Sequence, residues 1–113
     1  MCSIIGFCGE GAAYSLFSEC FPRTVSRVPD CTDIFSCGGG YLCFHRLAII
    51  GLHPEGMQPF ELSGSYLVCN GEIYGFKKFR DELIADGCTF AGDSDCEVLL
   101  PLYRKYCVEM FKM

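Results

Sequence analysis

Cys2 follows Met1 directly, so aminopeptidase trimming would leave a thiol and an α-amine on one residue. An α-amine has a reference pKa of about 7.7 to 8, against about 10.4 for lysine, so near neutrality it can take the thiol proton directly or through a water. Three other polar groups stand where plain packing does not ask for them. Arg46 lies in an apolar run, Asn70-Gly71 follows a strand, and Asp95 falls in the first turn of a helix. Cleaving an amide through a thioester needs a nucleophile, donors for the developing oxyanion and clamps for the rest of the substrate. The Asn70 side-chain amide and the Gly71 N–H can supply two donors. Arg46 can grip a carboxylate with two parallel bonds, and Asp95 can accept from an ammonium. Glutamine presents the amide, the α-carboxylate and the α-ammonium together, with asparagine the shorter rival. Each residue also has a plainer use. Cys2 can open a buried strand, Arg46 can pair with a structural carboxylate, Asn70-Gly71 can turn a hairpin, and Asp95 can favour the positive end of its helix.

The elements that carry these residues are read from apolar periodicity and turn signals. Residues 2 to 8 read as a buried strand ended by Gly9-Glu10-Gly11, and Ala12 to Phe21 carries a weak helical pattern. Pro22 and Pro29 bound an irregular connection. Tyr41 to Phe44 is a strong apolar strand running through His45-Arg46 toward Leu47-Ala48-Ile49-Ile50. An unpaired charge buried there is costly, so either the strand ends at Arg46 or the guanidinium enters a polar pocket. Gly51 to Pro59 reads as a loop, and Ser65 to Cys69 as a strand feeding Asn70-Gly71. From Gly75 to Asp86, Phe76, Phe79, Leu83 and Ile84 mark an amphipathic helix whose Lys77, Lys78 and Arg80 form a wet face. Ser94 and Glu97 fit a capping box, with Val98, Leu99, Leu102, Tyr103 and Tyr106 on the apolar side of the helix that follows. Pro101, the seventh residue of that helix, predicts a kink or an early stop.

One hundred and thirteen residues suit one domain, and an apolar half with ten Phe and six Tyr needs a packed core. A net charge of −5 argues against a nucleic-acid partner. No apolar run is long enough to span a bilayer and no signal peptide is visible, so no membrane partner and a cytoplasmic location are expected. Ten cysteines include no Cys-x-x-Cys pair, and both His residues lack a ligand-spaced partner. A structural metal is therefore not expected, and most cysteines are read as reduced core residues.

In Met1-Cys2-Ser3-Ile4, Phe44-His45-Arg46-Leu47-Ala48-Ile49-Ile50, Gly56-Met57-Gln58-Pro59, Cys69-Asn70-Gly71-Glu72-Ile73-Tyr74 and Ser94-Asp95-Cys96-Glu97-Val98-Leu99-Leu100, the chain resembles the N-terminal glutaminase domain of glutamine-hydrolysing asparagine synthetases, a class II amidotransferase. The resemblance implies an α+β fold, the four-layer αββα sandwich of N-terminal-nucleophile hydrolases, with Cys2 on an inner strand. Residues 1–113 would form a partial glutamine amidotransferase domain, the first half of that sandwich. It implies Cys2 as nucleophile and Asn70 with Gly71 as oxyanion hole. Arg46, helped by backbone groups of Leu47, Ala48, Ile49 and Ile50, would bind the α-carboxylate, and Glu72 and Asp95 would meet the amino group. No cofactor is implied for this segment. ATP and Mg would belong to a missing C-terminal synthetase domain that binds aspartate and turns it into asparagine with the ammonia released. Where the family usually has His-Arg-Gly-Pro-Asp, this chain has Ser26-Arg27-Val28-Pro29-Asp30, so a β-branched residue replaces glycine and a displaced loop is expected. Little turnover is expected of so short a chain by itself. The alternatives are a class II amidotransferase with another acceptor, or a noncatalytic binding or regulatory remnant.

Overall fold

The computed structural model describes residues 2–9, 14–27, 31–46 and 57–113. Strands β1 (Ser3–Cys8), β2 (Cys31–Cys37) and β3 (Gly40–Arg46) form an antiparallel sheet with β3 in the centre. Ser3 faces His45 and Cys8 faces Gly40 across β1 and β3, while Cys31 faces Arg46 and Thr32 faces His45 across β2 and β3. Gly40 is required at its position by close approach: a Cβ there would lie 2.2 Å from the Phe7 carbonyl oxygen. Central placement buries β3, with Cys43, Phe44 and His45 almost fully enclosed.

β1 is a strand, as its sequence predicts, but it is not a buried one: Ile4 is 40% and Phe7 37% exposed. It lies at the edge of the sheet, and the described residues cover it less than they cover β3. Helix α1 (Tyr14–Cys20) and a 3-10 helix (Phe21–Arg27) carry the chain back to the sheet, Phe17 stacking on Tyr41 at 5.2 Å. β2 has no counterpart in the sequence reading, which takes Pro22 to Pro29 as irregular and assigns no element to residues 31–37.

The remainder is a hairpin with helices. β4 (Phe60–Leu62) and β5 (Ser65–Leu67) turn through Ser63 and Gly64, both at positive φ (50° and 78°), the geometry of the two-residue turn that matches strand twist. The Asn70-Gly71 turn signal goes unused as a hairpin, because the chain beyond it becomes helical and offers no returning strand. Helix α2 (Phe76–Ala85) forms as periodicity predicts, with Leu83 buried, although Ile84 is half exposed. Its C-terminus is closed by Gly87 N–H to the Ile84 carbonyl and Cys88 N–H to the Leu83 carbonyl.

A 3-10 turn (Asp95–Val98) leads into helix α3 (Leu99–Tyr106), and a last 3-10 segment covers Cys107–Lys112. The change from 3-10 to α restarts the helix, so Pro101 occupies its first turn, where a missing N–H costs no hydrogen bond. The predicted early stop therefore does not occur. Leu100 and Leu102 are the buried face of α3, whereas Tyr103, predicted apolar-side, is 48% exposed. The capping box is also absent. Ser94 makes no side-chain cap bond, and the Glu97 carboxylate instead accepts from Gly92 N–H at 3.1 Å and faces Arg80 at 3.5 Å. Arg80 accordingly leaves the predicted wet face: its guanidinium lies over the Phe90 ring at 4.3 Å and donates to the Gly92 carbonyl.

Two apolar clusters hold this part together. Phe60, Cys96 and Leu100 form one, Leu83, Val98 and Leu102 the other, and Ile73 packs against both. Each enclosed aliphatic side chain contributes about 1.5–3 kcal/mol. The two parts of the protein meet where Phe35 of β2 touches Tyr66 of β5, ring centroids 4.6 Å apart.

The architecture is thus mixed α/β, a three-stranded antiparallel sheet and a two-stranded hairpin with helices. Among the described residues these sheets do not close a four-layer sandwich. Of the nine cysteines whose side chains are described, all are free thiols, two (Cys43 and Cys96) are buried, and Cys8, Cys20 and Cys107 are exposed, against the expectation of core cysteines. No described helix is long and apolar enough to cross a membrane.

Candidate functional site

The β1–β3 ladder ends at Ser3 and His45; Cys2 directly precedes β1, and Arg46 follows His45 on β3. Side chains alternate along a strand and cross-strand neighbours share a face. Continued one step, this register puts positions 2 and 46 on one face at the end of the sheet, opposite to Ser3, His45 and Thr32. Arg46 is the last described residue of β3. Both Cys2 and Arg46 are partly buried.

His45 fixes the other face. It is fully enclosed, stacks on Phe21 with centroids 3.9 Å apart and planes 11° from parallel, and its ring nitrogens meet two hydroxyls. Nδ1 is 2.9 Å from Thr32 Oγ1 and Nε2 is 2.8 Å from Thr24 Oγ1. Thr24 donates its own proton to the Phe21 carbonyl at 2.8 Å, so toward His45 it can only accept. Nε2 therefore carries the ring proton, and its 3.4 Å approach to the same carbonyl, which can only accept, agrees. In the neutral ring Nδ1 then accepts from Thr32.

The second group of predicted residues lies on the irregular run after β5. Asn70, Gly71 and Glu72 are exposed there, and the fold holds the run at three points. Gln58, 6% exposed, accepts from Cys69 N–H at 2.5 Å and donates to the Cys69 carbonyl at 3.1 Å, a paired clamp on the residue before Asn70. The Cys96 thiol donates to the Gly71 carbonyl at 3.7 Å. The Asp95 carboxylate accepts from Ile73 N–H at 2.6 Å. Asp95 is thus beside the Asn70–Glu72 run, with one oxygen committed to the backbone.

Sequence reasoning does not find Gln58 or His45 as organising groups, although both lie in segments that carry the resemblance. Their roles depend on backbone partners distant in sequence, which no spacing displays. Leu47, Ala48, Ile49 and Ile50, and the Val28–Asp30 part of the altered loop, lie outside the described residues. Among the described residues no group of three or more His, Cys, Asp or Glu side chains converges as metal ligands would. Burial, reinforced by Asp33, pushes the Cys43 thiol up to about 12. The Cys96 thiol is also raised, by burial first and then by its Cys69 and Asp95 neighbours. Both stay protonated near neutrality, which suits packing and donation more than nucleophilic attack.

The family pattern described as "Glutamine amidotransferase domain" matches residues 1–113. The chain is 43% identical over 84 residues to glutamine-hydrolysing asparagine synthetase 1 of Bacillus subtilis, a match covering 73% of this chain and 13% of that protein. It is 36% identical over 93 residues to glutamine-hydrolysing asparagine synthetase 1 of Arabidopsis thaliana, covering 80% of this chain and 15% of the relative. A protein named Amidase chry2 of Gibberella zeae is 46% identical over 63 residues, 54% of this chain and 9% of that protein. The chain therefore spans a small fraction of the length of these relatives.

Proposed function

This chain belongs to the glutamine amidotransferase domain family, and on that premise we propose that its site cleaves the side-chain amide of glutamine with Cys2 as nucleophile. The observation that carries the reading is the end of the β1–β3 ladder at Ser3 and His45, the neighbours in sequence of Cys2 and Arg46. Once Met1 is removed, the Cys2 α-amine takes the thiol proton and the sulfur attacks the amide carbon. Oxygen charge builds up and is met by the Asn70 side-chain amide and the Gly71 N–H, and as the thioester forms the C–N bond breaks and the nitrogen takes the proton from the Cys2 α-ammonium and leaves as ammonia. Water then attacks the thioester, releasing glutamate and returning the thiol. Arg46 grips the α-carboxylate with Leu47 to Ile50 supplying backbone groups, and Glu72 with Asp95 receives the α-ammonium. The Gln58 clamp, the Cys96 thiol and the Asp95–Ile73 bond favour this role for the 70–72 run, because they fix the backbone that would present the two donors.

In the whole protein the ammonia would pass to a synthetase domain that activates aspartate with ATP and Mg to form asparagine. The matches to asparagine synthetases support this acceptor. An amidase or an amidotransferase with another acceptor is the second reading, favoured by the match to Amidase chry2. Asparagine formation from aspartate, ATP and glutamine by the whole protein separates the two.

The glutaminase step is tested by intact mass and covalent capture. The expected results are loss of Met1 and one-to-one labelling of Cys2 by a chloroketone that carries the α-ammonium and α-carboxylate of glutamine, with glutamine protecting. A retained Met1, an acetylated Cys2, or labelling that glutamine does not slow would overturn it.

A further inference from the structure

We propose that His45 is a positioning residue for glutamine recognition, acting through Arg46. The inference rests on the glutaminase reading above. Ladder ends are where strands fray, and the β1–β3 ladder ends at the Ser3–His45 pair. At that point the sheet is anchored by a directed series of bonds: Thr32 O–H to Nδ1, Nε2–H to Thr24 Oγ1, and Thr24 O–H to the Phe21 carbonyl. This series ties β3 to β2 on one side and to the 3-10 helix Phe21–Arg27 on the other, while the Phe21 ring covers the imidazole at 3.9 Å.

The imidazole is fully enclosed and faces away from the side of the sheet that holds Cys2 and Arg46. It does not touch a substrate on that side. It fixes the backbone from which the next side chain, Arg46, departs. A guanidinium fork recognises a carboxylate only when both bonds are aligned, so a small drift of the strand end weakens the α-carboxylate grip while leaving the Cys2 thiol in place.

The test uses the Met-trimmed full chain and compares labelling of Cys2 by two electrophiles. One is the glutamine-shaped chloroketone and the other is chloroacetamide, which has neither α-group. In both, the Cys2 sulfur forms the new C–S bond, the C–Cl bond breaks, chloride leaves and the thiol proton passes to the α-amine. His45→Phe retains the ring stack on Phe21 and removes both hydroxyl bonds. The ratio of the two labelling rates should fall about tenfold in His45→Phe through the misaligned clamp, with the chloroacetamide rate unchanged. Thr32→Val serves if His45→Phe does not fold. It should lower the ratio roughly threefold, the worth of one neutral hydrogen bond.

A folded His45→Phe, or Thr32→Val in its place, that keeps the wild-type ratio overturns the positioning role and leaves the glutaminase reading intact. Equal falls in both rates assign His45 to general stability and also overturn it. A wild-type protein that does not favour the glutamine-shaped reagent overturns the glutaminase reading, and the role of His45 with it.

Discussion

Replacing Gln58 by alanine should destabilise the protein measurably while touching no proposed catalytic group. The side chain is 6% exposed and its amide makes two bonds to one residue, accepting from Cys69 N–H at 2.5 Å and donating to the Cys69 carbonyl at 3.1 Å. Two neutral hydrogen bonds contribute about 0.5–1.5 kcal/mol each, and a half-buried Cys69 regains only part of its hydration, so the cost is about 2–3 kcal/mol. For a domain of this size 1 kcal/mol shifts Tm by roughly 4 °C, which gives a fall of about 10 °C by calorimetry or circular dichroism. Gln58→Glu sharpens the test. An ionised carboxylate can still accept from Cys69 N–H, but its second oxygen opposes the carbonyl. A protonated one donates and restores both bonds. The folded-state pKa of the new carboxyl is therefore raised above its unfolded value of about 4.3. The stability it contributes is fully present below pH ~4.3 and is lost as pH rises through the folded pKa. The gap between Gln58→Glu and wild type should narrow on acidification, whereas that of Gln58→Ala should not. A Tm loss under about 3 °C for Gln58→Ala, or a pH-independent gap for Gln58→Glu, would refute the clamp.

Other perturbations follow from the same structure. Arg80→Ala leaves the Glu97 carboxylate, whose side chain is 8% exposed, without its cation and removes the cover from Phe90, and should cost about 2–3 kcal/mol in urea unfolding. Ser94→Ala should change stability by less than about 0.5 kcal/mol, because no cap bond exists to lose, where a working cap costs about 1. The Cys43 thiol, raised from 9.0 to about 12 by burial and then Asp33, stabilises the fold fully below pH 9 and progressively less as pH rises toward 12, since only the unfolded thiol ionises there. Cys43→Ala should remove that part of the alkaline slope in unfolding measured from pH 8.5 to 11. Gly40→Ala should abolish the β1–β3 pairing seen by amide exchange, because its Cβ would lie 2.2 Å from the Phe7 carbonyl oxygen.

Much of the positioning framework is legible in the sequence where the signal is local. The spacing of Phe76, Phe79 and Leu83 defines α2, and the apolar run from Tyr41 to Phe44 defines β3. What escapes is decided by distant partners. Thr32 to Ser36 becomes a strand because β3 is beside it to pair with, not through any alternation of its own. Ser63-Gly64 turns the hairpin and Asn70-Gly71 does not, since only the first has a strand on both sides. Glu97 abandons Ser94 for Arg80 and Gly92, which approach from elsewhere in the fold. Cys2, Arg46, Asn70 and Asp95 stand out by residue type and position. Gln58 and His45, which brace their neighbours, look ordinary until backbone contacts are known.

The pairing of Ser3 with His45 also sets a rule for variation. Ser3 and His45 are neighbours by cross-strand alignment and not by the path of the chain between them, so the connections at either end of α1 and the 3-10 helix can gain or lose residues without parting them. A one-residue slide of either strand is different: it reverses which side each residue faces and sends thiol and guanidinium to opposite sides of the sheet. Loop-length changes should therefore be common among functional homologues, and odd-numbered insertions within either strand rare.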